Sequence, residues 1–220
     1  FLWVGTQSGL NRYDGYSFRI FRNNPHDSTS IPNNDIGNIF ETPEGLIGIV
    51  SYSQLSLYDP VTEKFTQRTA EFYKKYQLPE GLISNIVPDQ SGGYWFVHGS
   101  QGLIYYNDST KVIHHLRHQP ENTSSVATDL IKAVVHAPQH STWIVHASGI
   151  IEEIKMEKGK PEVVFRTNHL EKINGGQLLD YRIYCDADGD LWLFVMDGTQ
   201  GLYYVNTKTK QIKNFTQGQS

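Results

Sequence analysis

Leu191-Trp192-Leu193-Phe194, followed by Gly201-Leu202-Tyr203-Tyr204-Val205-Asn206, decides the fold, because the same pattern stands four more times upstream. It reads Leu2-Trp3-Val4-Gly5-Thr6 with Gly9-Leu10-Asn11-Arg12-Tyr13-Asp14, then Tyr94-Trp95-Phe96-Val97 with Gly102-Leu103-Ile104-Tyr105-Tyr106-Asn107, and Thr142-Trp143-Ile144-Val145 with Gly149-Ile150-Ile151. A copy without the tryptophan reads Ile47-Gly48-Ile49-Val50 with Leu55-Ser56-Leu57-Tyr58-Asp59-Pro60. The tryptophan positions, 3, 48, 95, 143 and 192, are 45, 47, 48 and 49 residues apart. A fixed period of this length marks a repeat architecture.

Each unit holds four short apolar runs. Ile39, Ile86, Val134 or Ile183 lies nine residues before the tryptophan position, and the tryptophan run, the Gly-Leu-x-x-Tyr run and a last run such as Ile212-Lys213-Asn214-Phe215 follow. The runs are rich in Val, Ile, Tyr, Phe and Trp and are separated by Gly, Asn, Asp and Pro, which is strand and turn chemistry. Four antiparallel strands in under 50 residues are the blade of a β-propeller. The expected fold is all-β: one partial propeller domain over 1–220, with blades at 1–21 (incomplete), 35–67, 83–116, 130–166 and 180–215. Four whole blades and most of another read as a piece of a longer array. Open blade edges template pairing with another strand, so a second propeller or another copy of the chain is the expected partner.

The connector 22–34 and its counterpart 118–126 share a Pro followed by Ser and a β-branched residue at matching offsets, and Ile31, Leu78 and Val126 are expected to plug between blades. Phe72, Tyr73 and Tyr76 fit one face of a short helix. Lys155 to Pro161 reads as a charged, solvated loop inserted in the fourth blade.

Composition excludes several classes. Net charge is −4 with a pI near 6.1, and no basic stripe with interleaved aromatics points to nucleic acid. No apolar run approaches the roughly 20 residues needed to span a bilayer, so membrane attachment would come only through segments outside this sequence. Cys185, the single cysteine, reads as a small buried hydrophobe.

Of the chemistry-bearing motifs, Asp186-Ala187-Asp188-Gly189-Asp190 resembles a calcium loop, but Leu191 stands where such loops require Gly. The nine histidines lack metal-ligand spacing and cysteine company. No nucleophile, base and orienting acid share a local signature. The adjacent Glu152 and Glu153 point to opposite faces of a strand. The reading is therefore no catalytic residue, no metal and no cofactor. His98 and His146 both stand three residues after a tryptophan, in adjacent blades. With Tyr52, Gln101, Asp197 and Gln200 they follow the second strand of a blade, and these six are the candidate ligand-binding residues.

Leu2-Trp3-Val4-Gly5-Thr6, Gly9-Leu10-Asn11-Arg12-Tyr13-Asp14, Phe18-Arg19-Ile20-Phe21, Asn24-Pro25, Ser30-Ile31, Asn33-Asn34-Asp35-Ile36 and Asp59-Pro60-Val61-Thr62-Glu63-Lys64-Phe65 resemble the two-component regulator propeller repeat. That repeat fills the periplasmic sensor region of hybrid two-component systems in gut Bacteroidetes. The resemblance implies a non-enzymatic module of an inner-membrane-anchored sensor, which binds oligosaccharides from dietary or host glycans and signals to a histidine kinase and a DNA-binding output domain. Two alternatives stand beside it: a scaffold propeller that docks proteins, and a propeller lyase or glycosidase.

Overall fold

A computed structural model describes residues 1–52, 54–138, 141–196, 198 and 200–215. Five successive antiparallel sheets carry the up-and-down topology of propeller blades. The first has three strands, β1 (Leu2–Thr6), β2 (Gly9–Tyr13) and β3 (Phe18–Phe21). The second has β4 (Asn38–Glu41), β5 (Ile47–Ser51), β6 (Gln54–Asp59) and β7 (Lys64–Thr66), and is followed by the helix α1 (Ala70–Lys75). The third has β8 (Ile83–Pro88), β9 (Gly93–His98), β10 (Leu103–Asn107) and β11 (Ile113–Leu116). The fourth has β12 (Ile131–Ala137), β13 (Ser141–His146), β14 (Ile151–Glu157) and β15 (Lys160–Thr167), then α2 (His169–Asn174). The fifth has β16 (Tyr181–Cys185), β17 (Leu191–Val195), β18 (Leu202–Val205) and β19 (Ile212–Phe215). The chain divides into two compact units, residues 1–86 and 87–220, with the boundary inside β8.

Strand alternation puts the repeat tryptophan on one face of its sheet, and that face meets the opposite face of the next blade. In the first unit, Trp3 and Phe21 of the first blade pack on Tyr58 and Phe65 of the second, with ring centroids 5.2 Å apart for Trp3–Tyr58 and 5.3 Å for Phe21–Phe65. In the second unit, Trp95, Val97 and Tyr105 meet Val134, Ile144 and Ile154, and Trp143, Val145 and Ile151 meet Leu191, Leu193, Val195 and Tyr203. The blade without a tryptophan compensates locally. Gly48 faces Phe40 across the β4–β5 pair, and the Phe40 ring lies where a side chain at 48 would start, an aromatic filling the gap over a glycine.

The turn before the last strand has one chemistry in three blades. Asp59, Asn107 and Asn206 each accept, at the side-chain oxygen, a backbone N–H two or three residues on, and Thr62, Thr110 and Thr209 donate their hydroxyls to the same side chains. The residue that follows, Glu63, Lys111 or Lys210, takes a left-handed conformation. In the fourth blade the inserted residues form no loop. They lengthen β14 and β15 into a hairpin closed at Lys158-Gly159, both with positive φ, because a two-residue turn of that handedness matches strand twist.

Two of these turns reach back to the preceding blade with opposite charge. Glu63 accepts from Arg12 at 3.0 Å, and Lys210 donates to Glu153 at 2.6 Å. Arg12 and Glu153 occupy the same repeat position, each opposite its tryptophan, Trp3 or Trp143. Ile31 and Val126 are fully buried in the interblade cores, as the sequence predicts, and Leu78 is 8% exposed. Ser30 and Ser125 fold their two connectors identically, their hydroxyls accepting the N–H of Asn24 and Gln119 and donating to the carbonyls of the same residues. α1 falls on the predicted residues, while α2 replaces what the sequence presents as connector.

Lys210 also lies 4.3 Å over the Trp143 ring, so Lys210→Glu is expected to cost about 1–3 kcal/mol in urea unfolding. Glu153→Arg combined with Lys210→Glu copies the Arg12–Glu63 arrangement and should recover about 1 kcal/mol of it; strict additivity of the two losses would show that the pair does not couple the blades.

Candidate functional site

The position three residues after the tryptophan ends its strand in every blade, and where it is polar its side chain ties that strand end to a neighbouring turn, connector or strand. Thr6 accepts the N–H of Ser8 at 3.1 Å and donates to the Gly9 carbonyl at 2.9 Å. Ser51 donates to the Asp35 carbonyl at 2.9 Å. His98, 1% exposed, accepts the N–H groups of Ser100 and Gln101 on Nδ1 at 3.1 and 3.0 Å. An imidazole here works as an Asx side chain does in a turn, and the accepting Nδ1 leaves the proton on Nε2.

His146 is fully buried and its ring joins the connector at Thr128 to Glu152 of β14. Nε2 meets Glu152 Oε2 at 2.7 Å and Nδ1 meets the Thr128 hydroxyl at 2.9 Å. Glu152, also fully buried, accepts from Arg166 and, at 3.1 Å, from the N–H of Ala127; Arg166 reaches the Ser125 carbonyl as well. Burying a carboxylate costs several kcal/mol unless paired, and here His146, Arg166 and the Ala127 N–H all donate to it. Glu152 thus serves the side of the sheet toward the connector at 125–128, while Glu153 pairs with Lys155 and Lys210 on the other face. Adjacent residues of a strand point apart, as the sequence requires.

The remaining candidates differ in exposure. Tyr52 is 72% exposed and left-handed, φ 53°. Gln101 is half-buried and its carbonyl meets His115 Nε2 at 2.7 Å. Gln200 is half-buried in the corresponding turn of the fifth blade. Asp197 lies outside the described residues. His98 and Gln101 share one turn, whereas Tyr52 belongs to the other unit.

The acidic turn of the fifth blade spends its carboxylates internally. Asp186 accepts the N–H groups of Asp188 and Asp190 and the Trp192 indole N–H, the last at 2.8 Å. Asp190 accepts from Thr207, Asn206 and Tyr204. Asp89 does the same in the third blade, taking the N–H groups of Ser91 and Gly93 and the Tyr105 hydroxyl. Among the described residues no group of three His, Cys, Asp or Glu could hold a metal ion. The Cys185 thiol is pushed up by burial, then by Asp186 and Asp190 nearby, and packs against the core of the fourth and fifth blades.

Sequence reading missed the concave feature of the first unit. A groove of about 1170 Å³ runs between α1, the start of β6 and residues 80–82. Gln54, Arg68, Tyr73, Leu78 and Glu80 are among its walls. The sequence places Phe72, Tyr73 and Tyr76 on one face, but only Phe72 and Tyr76 enter the core, and Tyr73 stays half-buried beside the groove.

Known proteins bear on this geometry as follows. No protein-family profile matches the chain. Thirty residues, 14% of the chain and 2% of the relative, are 70% identical to histidine kinase P4 of Formosa agariphila. The extracellular domain assigned to a hybrid two component system of B. thetaiotaomicron superposes on 99% of this chain, using 27% of its own, with TM-score 0.64 and 20% identity. Virginiamycin B lyase of Staphylococcus aureus matches 95% of the chain and 63% of its own, with TM-score 0.57 and 16% identity. The fold is that of propellers found in such extracellular domains, and an enzyme uses it too. The chain spans about a quarter of the sensor domain's length and matches a far smaller share of the kinase.

Burial opposes ionisation of Asp89, yet the N–H groups of Gly93 and Ser91 outweigh it and hold the carboxyl below its usual value. Asp190 is likewise lowered against burial, by Tyr204 and Thr207. A carboxyl lower in the folded than in the unfolded chain stabilises fully above about pH 4 and loses that contribution as pH falls through the folded value. Melting temperature should therefore drop below about pH 4, and Asp89→Asn with Asp190→Asn should flatten the drop. An unchanged slope would place the acid sensitivity elsewhere.

Proposed function

We propose that this chain is a ligand-sensing propeller segment of a hybrid two-component sensor, lying outside the cytoplasmic membrane, that recognises oligosaccharides and signals without turning them over. Likeness across 99% of the chain to an extracellular sensor domain supports the fold's use as a sensor, and the short identical stretch supports a histidine kinase in the same polypeptide.

Tyr52 carries the ligand class. A bulky residue with positive φ costs of order 1–3 kcal/mol and is kept where the surroundings or the function demand it. Here it holds an aromatic ring 72% exposed at the turn after β5. Such a ring offers an apolar face to a sugar and a hydroxyl to its substituents. Gln101 and Gln200 present amides at the equivalent turns of the third and fifth blades, and His98 fastens the turn that holds Gln101.

The first sheet supports the expected partner, a second propeller or another copy. Leu2, Val4, Phe18 and Ile20 share one face through the registers Leu2–Tyr13–Phe18 and Val4–Asn11–Ile20, and all four are exposed. Sedimentation should show mass rising with concentration, and a fixed monomer mass would count against association.

Calorimetric titration with oligosaccharides from plant and host glycans should give saturable binding of one class, with the sugar recovered intact. Tyr52→Ala should weaken it at least tenfold. Silence across the panel would remove the sensor reading, and consumption of the sugar would replace it with a lyase or glycosidase.

A further inference from the structure

We propose that copies of this chain join head to tail, the tryptophan-bearing face of the fifth blade of one copy docking on the first blade of the next. This joint rests on the association proposed above and gives it a polarity.

Strand register makes the blades comparable residue by residue. Gly5, Leu10 and Phe21 stand abreast in the first sheet as Phe194, Leu202 and Phe215 do in the fifth. On the opposite face, Leu2, Tyr13 and Phe18 of the first sheet correspond to Ile47, Tyr58 and Phe65 of the second. The junction of the first and second blades sets Trp3 and Phe21 against Tyr58 and Phe65. The same repeat positions hold Trp192 and Phe215 in the fifth blade and Tyr13 and Phe18 in the first. Residue type for residue type, these two faces are the two halves of that junction.

Each half is already in shape. Trp3 and Phe21 stack with centroids 5.9 Å apart at 27°, and Trp192 and Phe215 stack at 6.2 Å and 23°. Tyr58 and Phe65 lie 4.8 Å apart, Tyr13 and Phe18 4.7 Å. Rings held this way lose little side-chain freedom on docking.

Burial shows that both halves are open. Val4 is 38% exposed, whereas Ile49, Ile144 and Leu193, at the same repeat position, are fully buried. Phe194 is 41% exposed where Val97 and Val145 are fully buried, and Leu202 is exposed where Leu10, Leu103 and Ile151 are fully buried. Leu2, Phe18 and Ile20 extend the first face and Tyr184 and Phe215 the second, all exposed. Apolar surface of this kind resembles a core cut in half, which is the composition of a lasting interface.

Unlike faces mate in every internal junction described above, and Trp3 meets Tyr58 edge to face at 69°, the arrangement that aromatic quadrupoles favour. The ionic brace of that junction has no counterpart in the new one. Tyr204 stands where Arg12 does, opposite its tryptophan, and the turn that would reach back, Asp14-Gly15-Tyr16-Ser17, presents Tyr16, 96% exposed. Asp14 is occupied within that turn by the N–H groups of Tyr16 and Ser17. The joint is apolar, so salt does not screen it. Because unlike faces meet, a pair of copies keeps one face of each kind open, and assembly continues unless the rotation closes a ring.

Sedimentation of the parent chain and two variants tests this. The parent should grow past dimer with concentration, equally at low and high sodium chloride. Phe18→Lys blocks the first face and Phe194→Lys the second. Each variant alone should associate at least about a hundredfold more weakly, because an unpaired lysine in an apolar contact costs several kcal/mol. Mixed in equal amounts, the two should form a one-to-one complex that grows no further, each supplying the face that the other has lost. Ile20→Lys with Tyr184→Lys, both at exposed positions, repeats the experiment should the first pair fold poorly. Association of either variant alone at the parent's strength, or no complex in the mixture, would overturn the head-to-tail joint and leave association standing. A parent that stays monomeric would remove both.

Discussion

One contact organises this molecule: the tryptophan-bearing face of a blade against the opposite face of its successor. It recurs at Trp3 with Tyr58, at Trp95 with Val134 and Ile144, and at Trp143 with Leu193 and Tyr203. An aromatic side chain buries 150–250 Å², so each junction places its largest apolar group where two sheets meet. A blade cannot bury both faces alone, and stacking supplies the missing half. Everything else adjusts to this contact. Connectors send Ile31 and Val126 into the seam, and the turns before the last strands reach back across it with Glu63 or Lys210.

That constraint explains what the sequence made legible. Tryptophan spacing and the Gly-Leu-x-x-Tyr run report strand order and blade limits because each has one structural job per repeat. The departures were harder to read. Gly48 looks like a lost tryptophan, yet Phe40 from the neighbouring strand covers it, and a contact across strands leaves no periodic mark. The residues 155–161 look like a solvated loop because Lys and Glu dominate, but an edge hairpin tolerates charge on both faces. α2 was missed because its buried pair, Leu170 and Asn174, includes a polar residue that hydropathy reads as surface.

The candidate site was less legible for a related reason. His98 and His146 stand out in sequence as equivalent histidines, but the structure gives His98 a fastening role inside its turn and ties His146 to Glu152 and the Thr128 connector. The groove depends on how far one short helix stands from a strand, a distance set by several side chains that are individually ordinary. Residue type identified the turns that the scaffold presents, whereas concavity emerged only from packing. The same fold serves a sensor domain and a lyase, and fold does not fix function. Chemistry at one blade therefore has to carry the functional argument.

The most direct measurement is the structure of the chain crystallised with the oligosaccharide that it binds. The account predicts a sugar lying with its apolar face on the exposed Tyr52 ring at the turn after β5. Sugar bound elsewhere, with Tyr52 untouched, would contradict it.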